Sequence, residues 1–171
     1  MNKRTLVICA MAGVFVLLAG CYWGMTTDIS GVPSQATAWK PLTLDAEVSA
    51  LSLLIKPRVL WSIKNAGTTN ARIVDETYLH ALSPGTLVVT ANVENYINMQ
   101  DNFSKDFTIT VLPAPEEIHV LGTELISHNV NTNNNPVSFK VNLNLEVHWE
   151  NIKDMLIVAD RYVDLDLTGS T

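Results

Sequence analysis

Few residues of this 171-residue chain are of types that do chemistry: two cysteines, four histidines and one knot of carboxylates near the C-terminus. His80, His119, His128 and His148 are scattered, and no two stand at the i+2 or i+4 spacing that sets a pair of imidazoles on one face of a strand or helix. Solvated or strand-edge histidines are the favoured reading. Asp160, Asp164 and Asp166 cluster around a strand end, where two carboxylates on one face could ligate calcium. Calcium wants about six to eight oxygens. Charges that guard a strand edge explain the pair more simply, and no metal site is expected. Asp28 and the Asp75-Glu76 pair are weaker candidates still. Gly-rich phosphate loops, Gly-x-Ser-x-Gly and His-Glu-x-x-His do not occur. The chain is therefore expected to be no enzyme and to need no cofactor. Among the aromatics, Tyr22, Trp23, Trp39 and Tyr78 could stack on a sugar ring if exposed, although Trp39 could equally cap a core.

The thiols are better placed. Asn2-Lys3-Arg4 precedes an uncharged apolar run, Leu6 to Leu18, that ends in Leu18-Ala19-Gly20-Cys21. The run is shorter than the roughly 20 residues of a comfortable bilayer span, and the order basic, apolar, small is that of an export signal. An uncleaved anchor or a buried core helix is the competing reading. Leu18–Cys21 resembles the bacterial lipobox. That resemblance implies cleavage between Gly20 and Cys21 and an acylated Cys21 thiol, with palmitate-type chains in the membrane. Cys9 would leave with the signal, so Cys21 would be the sole mature thiol and no intrachain disulfide could form. At about 0.8 kcal/mol per buried CH₂, two or three acyl chains hold far more firmly than a single myristoyl. Trp23, just beyond the anchor, would then sit at the membrane interface. The expected location is a bacterial cell envelope, facing the periplasm or the exterior.

Composition agrees. Apolar residues make up 47% and charged residues 16%, against about 25% charged in an ordinary soluble domain, and mean hydropathy is +0.18. Removing residues 1–20 takes away Lys3 and Arg4 but no acid, leaving nine basic residues against seventeen acidic ones. A mature chain this acidic argues against nucleic-acid binding and against docking on anionic lipid.

The elements that must position these groups read as short strands. Leu42–Val48, Val59–Ile63, Ala71–Val74, Tyr78–Ala81, Leu87–Val93 and Phe107–Leu112 are β-rich, and several alternate apolar with polar residues. Asn65-Ala66-Gly67, Ser83-Pro84-Gly85 and Asp101-Asn102 supply turns. Six or seven such strands in about 85 residues predict a β-sandwich. The stretch Val59-Leu60-Trp61-Ser62-Ile63, Ala66-Gly67-Thr68, Ala81 to Thr86, Val89-Thr90-Ala91 and Asp106 to Val111 resembles bacterial Ig-like (Big-type) domains over about residues 28–112. The resemblance implies that Trp61 packs between the sheets and that Gly85-Thr86 opens a late strand. The expected core is Trp61, Ile63, Val89 and Ile109. Big-type domains have no intersheet disulfide, in keeping with the cysteine count.

Beyond Pro113-Ala114-Pro115 the chain turns asparagine-rich, with Asn131 to Asn135 as a low-complexity loop. Residues 113–136 read as a linker with candidate short strands at Ile118–Leu121 and near Leu125–Ser127. From Val137 to Trp149 every second residue is apolar, which predicts one long strand. Trp149, Ile152, Met155, Leu156 and Ala159 then share a helix face, and Tyr162–Leu167 alternates again. Strand, helix and strand make a βαβ unit. Asn135 to Val141 and Arg161 to Gly169 resemble the lead-in to leucine-rich repeats in bacterial surface lipoproteins, whose repeats would follow on from Thr171.

The expected organisation is a signal peptide with its helix over 1–20, a tether over 21–28, an Ig-like sandwich over 29–112, the linker over 113–136 and a βαβ unit over 137–171. The fold class is mainly β. The expected function is a non-enzymatic, membrane-anchored surface lipoprotein whose Ig-like module serves as spacer or adhesion domain. Its partners would be the membrane, through Cys21, and a host or cell-surface protein or glycan. A carbohydrate- or protein-binding module working through an exposed aromatic face is the second reading, which exposure of Trp39 or Tyr78 would support.

Overall fold

The computed structural model describes residues 28–49, 57–94, 103–128 and 135–170. Gly20, Cys21, the signal, the tether as far as residue 27, the Asp101-Asn102 turn and most of the asparagine loop lie outside the described residues.

The first strand is divided between two sheets. Its opening part, β1 (Asp28–Ser30), pairs antiparallel with β4 (Glu47–Ser49), whereas β2 (Gln35–Thr37) pairs parallel with β9 (Phe103–Leu112). Gly31, at φ +78°, makes the crossing, a left-handed conformation that costs glycine little. Pro33 follows within the crossing, outside both ladders, where its missing N–H breaks no sheet bond. One sheet has the order β2-β9-β8-β5, with β5 at Arg58–Asn65 and β8 at Gly85–Glu94. The other has the order β3-β7-β6, formed by Leu42–Thr43, Tyr78–His80 and Arg72–Val74. Counting β1–β2 as strand A and β3–β4 as strand B, the sheet β3-β7-β6 is B-E-D and faces β9-β8-β5, which is G-F-C, the Ig arrangement. The fold is mainly β: an Ig-like β-sandwich followed by a small βαβ unit.

Alternation fixes the inward face. Leu87, Val89, Ala91 and Val93 of β8 are all buried, Leu87 lies opposite Ile109, and Leu79 and Ala81 come from the facing sheet. Each large aliphatic side chain enclosed in this way contributes about 1.5–3 kcal/mol. Trp61 and Ile63 point inward beside them, opposite Ala91 and Val89, but are only half-buried. Trp61 leans on the Phe107 ring, with centroids 6.4 Å apart, near the end of the sandwich that β1 and β4 close. The tryptophan enclosed by the core is Trp39, 1% exposed.

The C-terminal third departs further from its sequence pattern. The candidate strands at Ile118–Leu121 and Leu125–Ser127 are a single helix, α1 (Glu116–Ser127). Pro115 precedes it, Glu116 and Glu117 complement the positive helix start, and Ile118, Gly122 and Leu125 are its buried residues. The expected long strand from Val137 to Trp149 is also corrected. It ends at Lys140 as β10 (Val137–Lys140), and α2 (Leu145–Ala159) begins four residues before the expected helix start. Asn144 stops the strand by capping: its side chain accepts a hydrogen bond from the Glu146 N–H at 3.0 Å. Val147 and Trp149 consequently face solvent. β11 (Val163–Asp166) returns parallel to β10, with Phe139 opposite Leu165. Ile152, Met155 and Val158 of α2, Ile118 and Leu125 of α1, and Trp39, Leu79 and Val89 of the sandwich belong to one continuous apolar core.

Candidate functional site

The charged pair Arg72 and Asp160 links the sandwich to the C-terminal unit. The Arg72 guanidinium on β6 donates to the Val158 carbonyl (3.0 Å) in the last turn of α2 and approaches the Asp160 carboxylate to 3.6 Å. A cation there satisfies an end carbonyl and complements the negative end of the helix. Asp160, at φ +55°, is the left-handed cap, its N–H donating to the Leu156 carbonyl. Because the helix stops there, Arg161 and Tyr162 are thrown back toward the sandwich.

A cleft of about 670 Å³ lies between the two parts. Pro41, Arg72, Val74, Asp75, Tyr78 and His80 form the sandwich wall, and Leu156, Ile157, Asp160, Arg161 and Tyr162 form the other. The sandwich wall is shaped by a tight β6–β7 turn in which Asp75 and Glu76 are consecutive left-handed residues at φ 48° and 63°. Two such residues twist a hairpin in the sense its strands require. Glu76 is held by Arg58 at 2.7 Å, and β7 then presents Tyr78 outward. Tyr78 and Tyr162 remain 43% and 55% exposed at the mouth, whereas His80 at the base is 4% exposed.

The His80 Nδ1 is buried without a hydrogen-bond partner. Burial disfavours its charged form and the Arg72 charge adds to this, against weaker pulls from Asp160 and Asp75, so its pKa falls below the ordinary 6.5. The unfolded chain therefore takes up this proton first as the pH drops below 6.5, and stability declines through the window from 6.5 down to the folded pKa. We expect wild type to lose stability between pH 7.5 and pH 5.5, by up to about 1.4 kcal/mol per pH unit. His80→Gln should flatten that slope. Asp28, Asp106 and Asp166 are held below the ordinary 3.8, so their protonation falls at a pH below this window. Urea unfolding at the two pH values measures the difference, and equal slopes would remove His80 as the cause.

The remaining sequence candidates do not converge. Asp166 accepts from the Thr168 N–H (2.8 Å) and hydroxyl (2.6 Å), which lowers its pKa, while Asp164 is exposed on β11 and Asp160 faces Arg72. No group of three or more His, Cys, Asp or Glu placed to hold a metal ion occurs among the described residues. His119 is structural: its Nδ1 accepts from the Trp39 indole N–H at 3.3 Å. The His148 Nδ1 is buried and unpartnered on α2, and His128 is exposed just beyond α1. Asp28 binds the Lys105 ammonium (2.7 Å), which also donates to the Ile29 carbonyl and fastens β1 to β9. Of the aromatic candidates, Trp39 is lost to the core and Tyr78 is open to solvent. Arg72, Arg161 and Tyr162 carry no sequence motif, and only the meeting of β6–β7 with the end of α2 makes them neighbours of one cleft.

Fold and cleft define a class, an Ig-like β-sandwich with an α/β appendage. The chain is similar to the solution structure of the PKD domain from KIAA 1837 protein at 21% identity and a TM-score of 0.39, over 53% of this chain and 90% of that one. No family model and no curated protein matches it.

Proposed function

We propose that this chain is a non-enzymatic, lipid-anchored module of a bacterial envelope, in which the Ig-like sandwich acts as a spacer or interaction domain. One observation carries the reading: six residues, 22–27, separate the lipobox cysteine from β1, which starts at Asp28. Seven chain steps reach no more than about 25 Å, so acylation of Cys21 would hold the sandwich within one domain's width of the lipid. Lys105 supports this by clasping Asp28 at the point where the tether enters the fold. Among the described residues no helix is long and apolar enough to cross a membrane.

Cys21→Ser is expected to abolish acylation and leave uncleaved precursor. Metabolic labelling with an alkynyl fatty acid reads this directly. Equal label in variant and wild type would sink the anchored reading.

A second reading, a carbohydrate- or protein-binding module, is favoured by the cleft between β6–β7 and α2, where two tyrosines stay exposed above a buried histidine. The likeness of residues 135–169 to the lead-in of leucine-rich repeats adds that β11 would present its free edge to a following repeat; an in-frame repeat beyond Thr171 in the genomic sequence would support that.

A further inference from the structure

We propose that the cleft between the β6–β7 hairpin and the end of α2 is a binding site for a neutral saccharide. The proposal rests on the second reading above and is independent of the lipid anchor. Its volume, about 670 Å³, falls within the roughly 300–1,000 Å³ of small-molecule pockets. Tyr78 and Tyr162 stand on opposite walls, each exposing a flat apolar ring with a polar tip, the kind of surface on which the C–H face of a pyranose can rest.

The polar complement decides the ligand class. Arg72 and Arg161 bring donors, Asp75 and Asp160 bring acceptors, and the four formal charges cancel. Sugar hydroxyls both donate and accept, so such a ligand can use all four groups. An anion would meet the two aspartates in a chain already at net charge −6, and a cation would meet the two arginines. His80, 4% exposed, completes the lining at the base of the cleft. The walls are held by the Arg72–Val158 bond and the Arg72–Asp160 contact, so the site is formed before a ligand arrives.

Titration of the full chain with cellohexaose, chitohexaose and maltohexaose, followed calorimetrically and by NMR, tests the proposal. At least one probe is expected to bind, with Tyr78→Ala and Tyr162→Ala each weakening it by about tenfold or more. Trp149→Ala, an exposed aromatic of α2 that does not line the cleft, should leave the affinity unchanged. Retained NMR dispersion in the tyrosine variants separates lost binding from lost folding. Absence of binding by all three probes overturns the proposal, as does binding that survives the double tyrosine variant. Adhesion of the full chain to whole cells that the tyrosine variants leave intact would remove the cleft while preserving the interaction reading.

Discussion

Replacing Trp39 by alanine is expected to destabilise the fold by about 3–5 kcal/mol, near the upper end for one substitution. The indole is 1% exposed and contributes to the one core that runs from the sandwich into the C-terminal unit. Its N–H donates to His119 on α1, and its ring lies against Gly122 on the same helix. Trp39 also sits at φ 62°, a left-handed conformation unusual for so bulky a residue and costing of order 1–3 kcal/mol. Only the burial gained by turning the indole inward offsets that cost. Alanine would keep the strained backbone and lose the burial, leaving a cavity between sheet and helix. Trp61→Ala should cost less, about 1–2 kcal/mol, because Trp61 is half-buried near the open end and packs chiefly on Phe107. Urea unfolding of both variants gives the comparison. A Trp61 cost equal to that of Trp39 would contradict the assignment of the core tryptophan.

Which tryptophan is enclosed could not be read from alternation. Trp61 lies in a well-patterned strand, and its inward direction was legible. How deeply the facing layer covers it depends on β1 and β4, two three-residue strands with almost no periodicity of their own. Val89 and Ile109 were legible because β8 and β9 are each ten residues long, and their cross-strand pairing buries one face whatever the neighbours do. α1 was hidden for a different reason. Ile118 and Leu121, then Leu125 and Ile126, read as two short apolar runs, whereas Pro115-Glu116-Glu117 and the spacing 118, 122, 125 signal a helix start and one helix face. Gly122 obscured that face, since glycine is a poor helix former and carries no hydropathy. In the last third, period 2 and period 3.6 coincide over Leu145 to Trp149, and Asn144 decides between them by capping. The cleft is a product of packing. Its two walls are separated by about seventy residues of sequence, and no single-sequence pattern links them.

Gly122→Ala is expected to loosen the C-terminal unit from the sandwich. A Cβ built at Gly122 would lie 2.7–2.8 Å from three carbons of the Trp39 indole, and those atoms belong to a rigid ring fixed by the core rather than to a pliable chain end. Alanine gains about 1 kcal/mol in helix propensity over glycine. Overpacking against the enclosed ring costs about 1–3 kcal/mol or more, so the net effect is destabilising. The helix must back away from Trp39, and Ile118 and Leu125 leave with it. Those residues share the core with Ile152 and Met155 of α2. A two-stranded sheet with one helix buries too little to fold by itself against an ordering cost near 1–2 kcal/mol per residue, so β10, α2 and β11 depend on that contact. Hydrogen exchange should show the consequence as an asymmetry: protection across 137–167 falls by about tenfold or more, while β5, β8 and β9 keep most of theirs. When Gly122→Ala is combined with Trp39→Ala, the two costs should fall short of their sum, because removing the indole makes room for the added methyl. Uniform loss over both regions would mean that the sandwich and the C-terminal unit open together, and the dependent-unit picture would then give way to one indivisible cooperative fold.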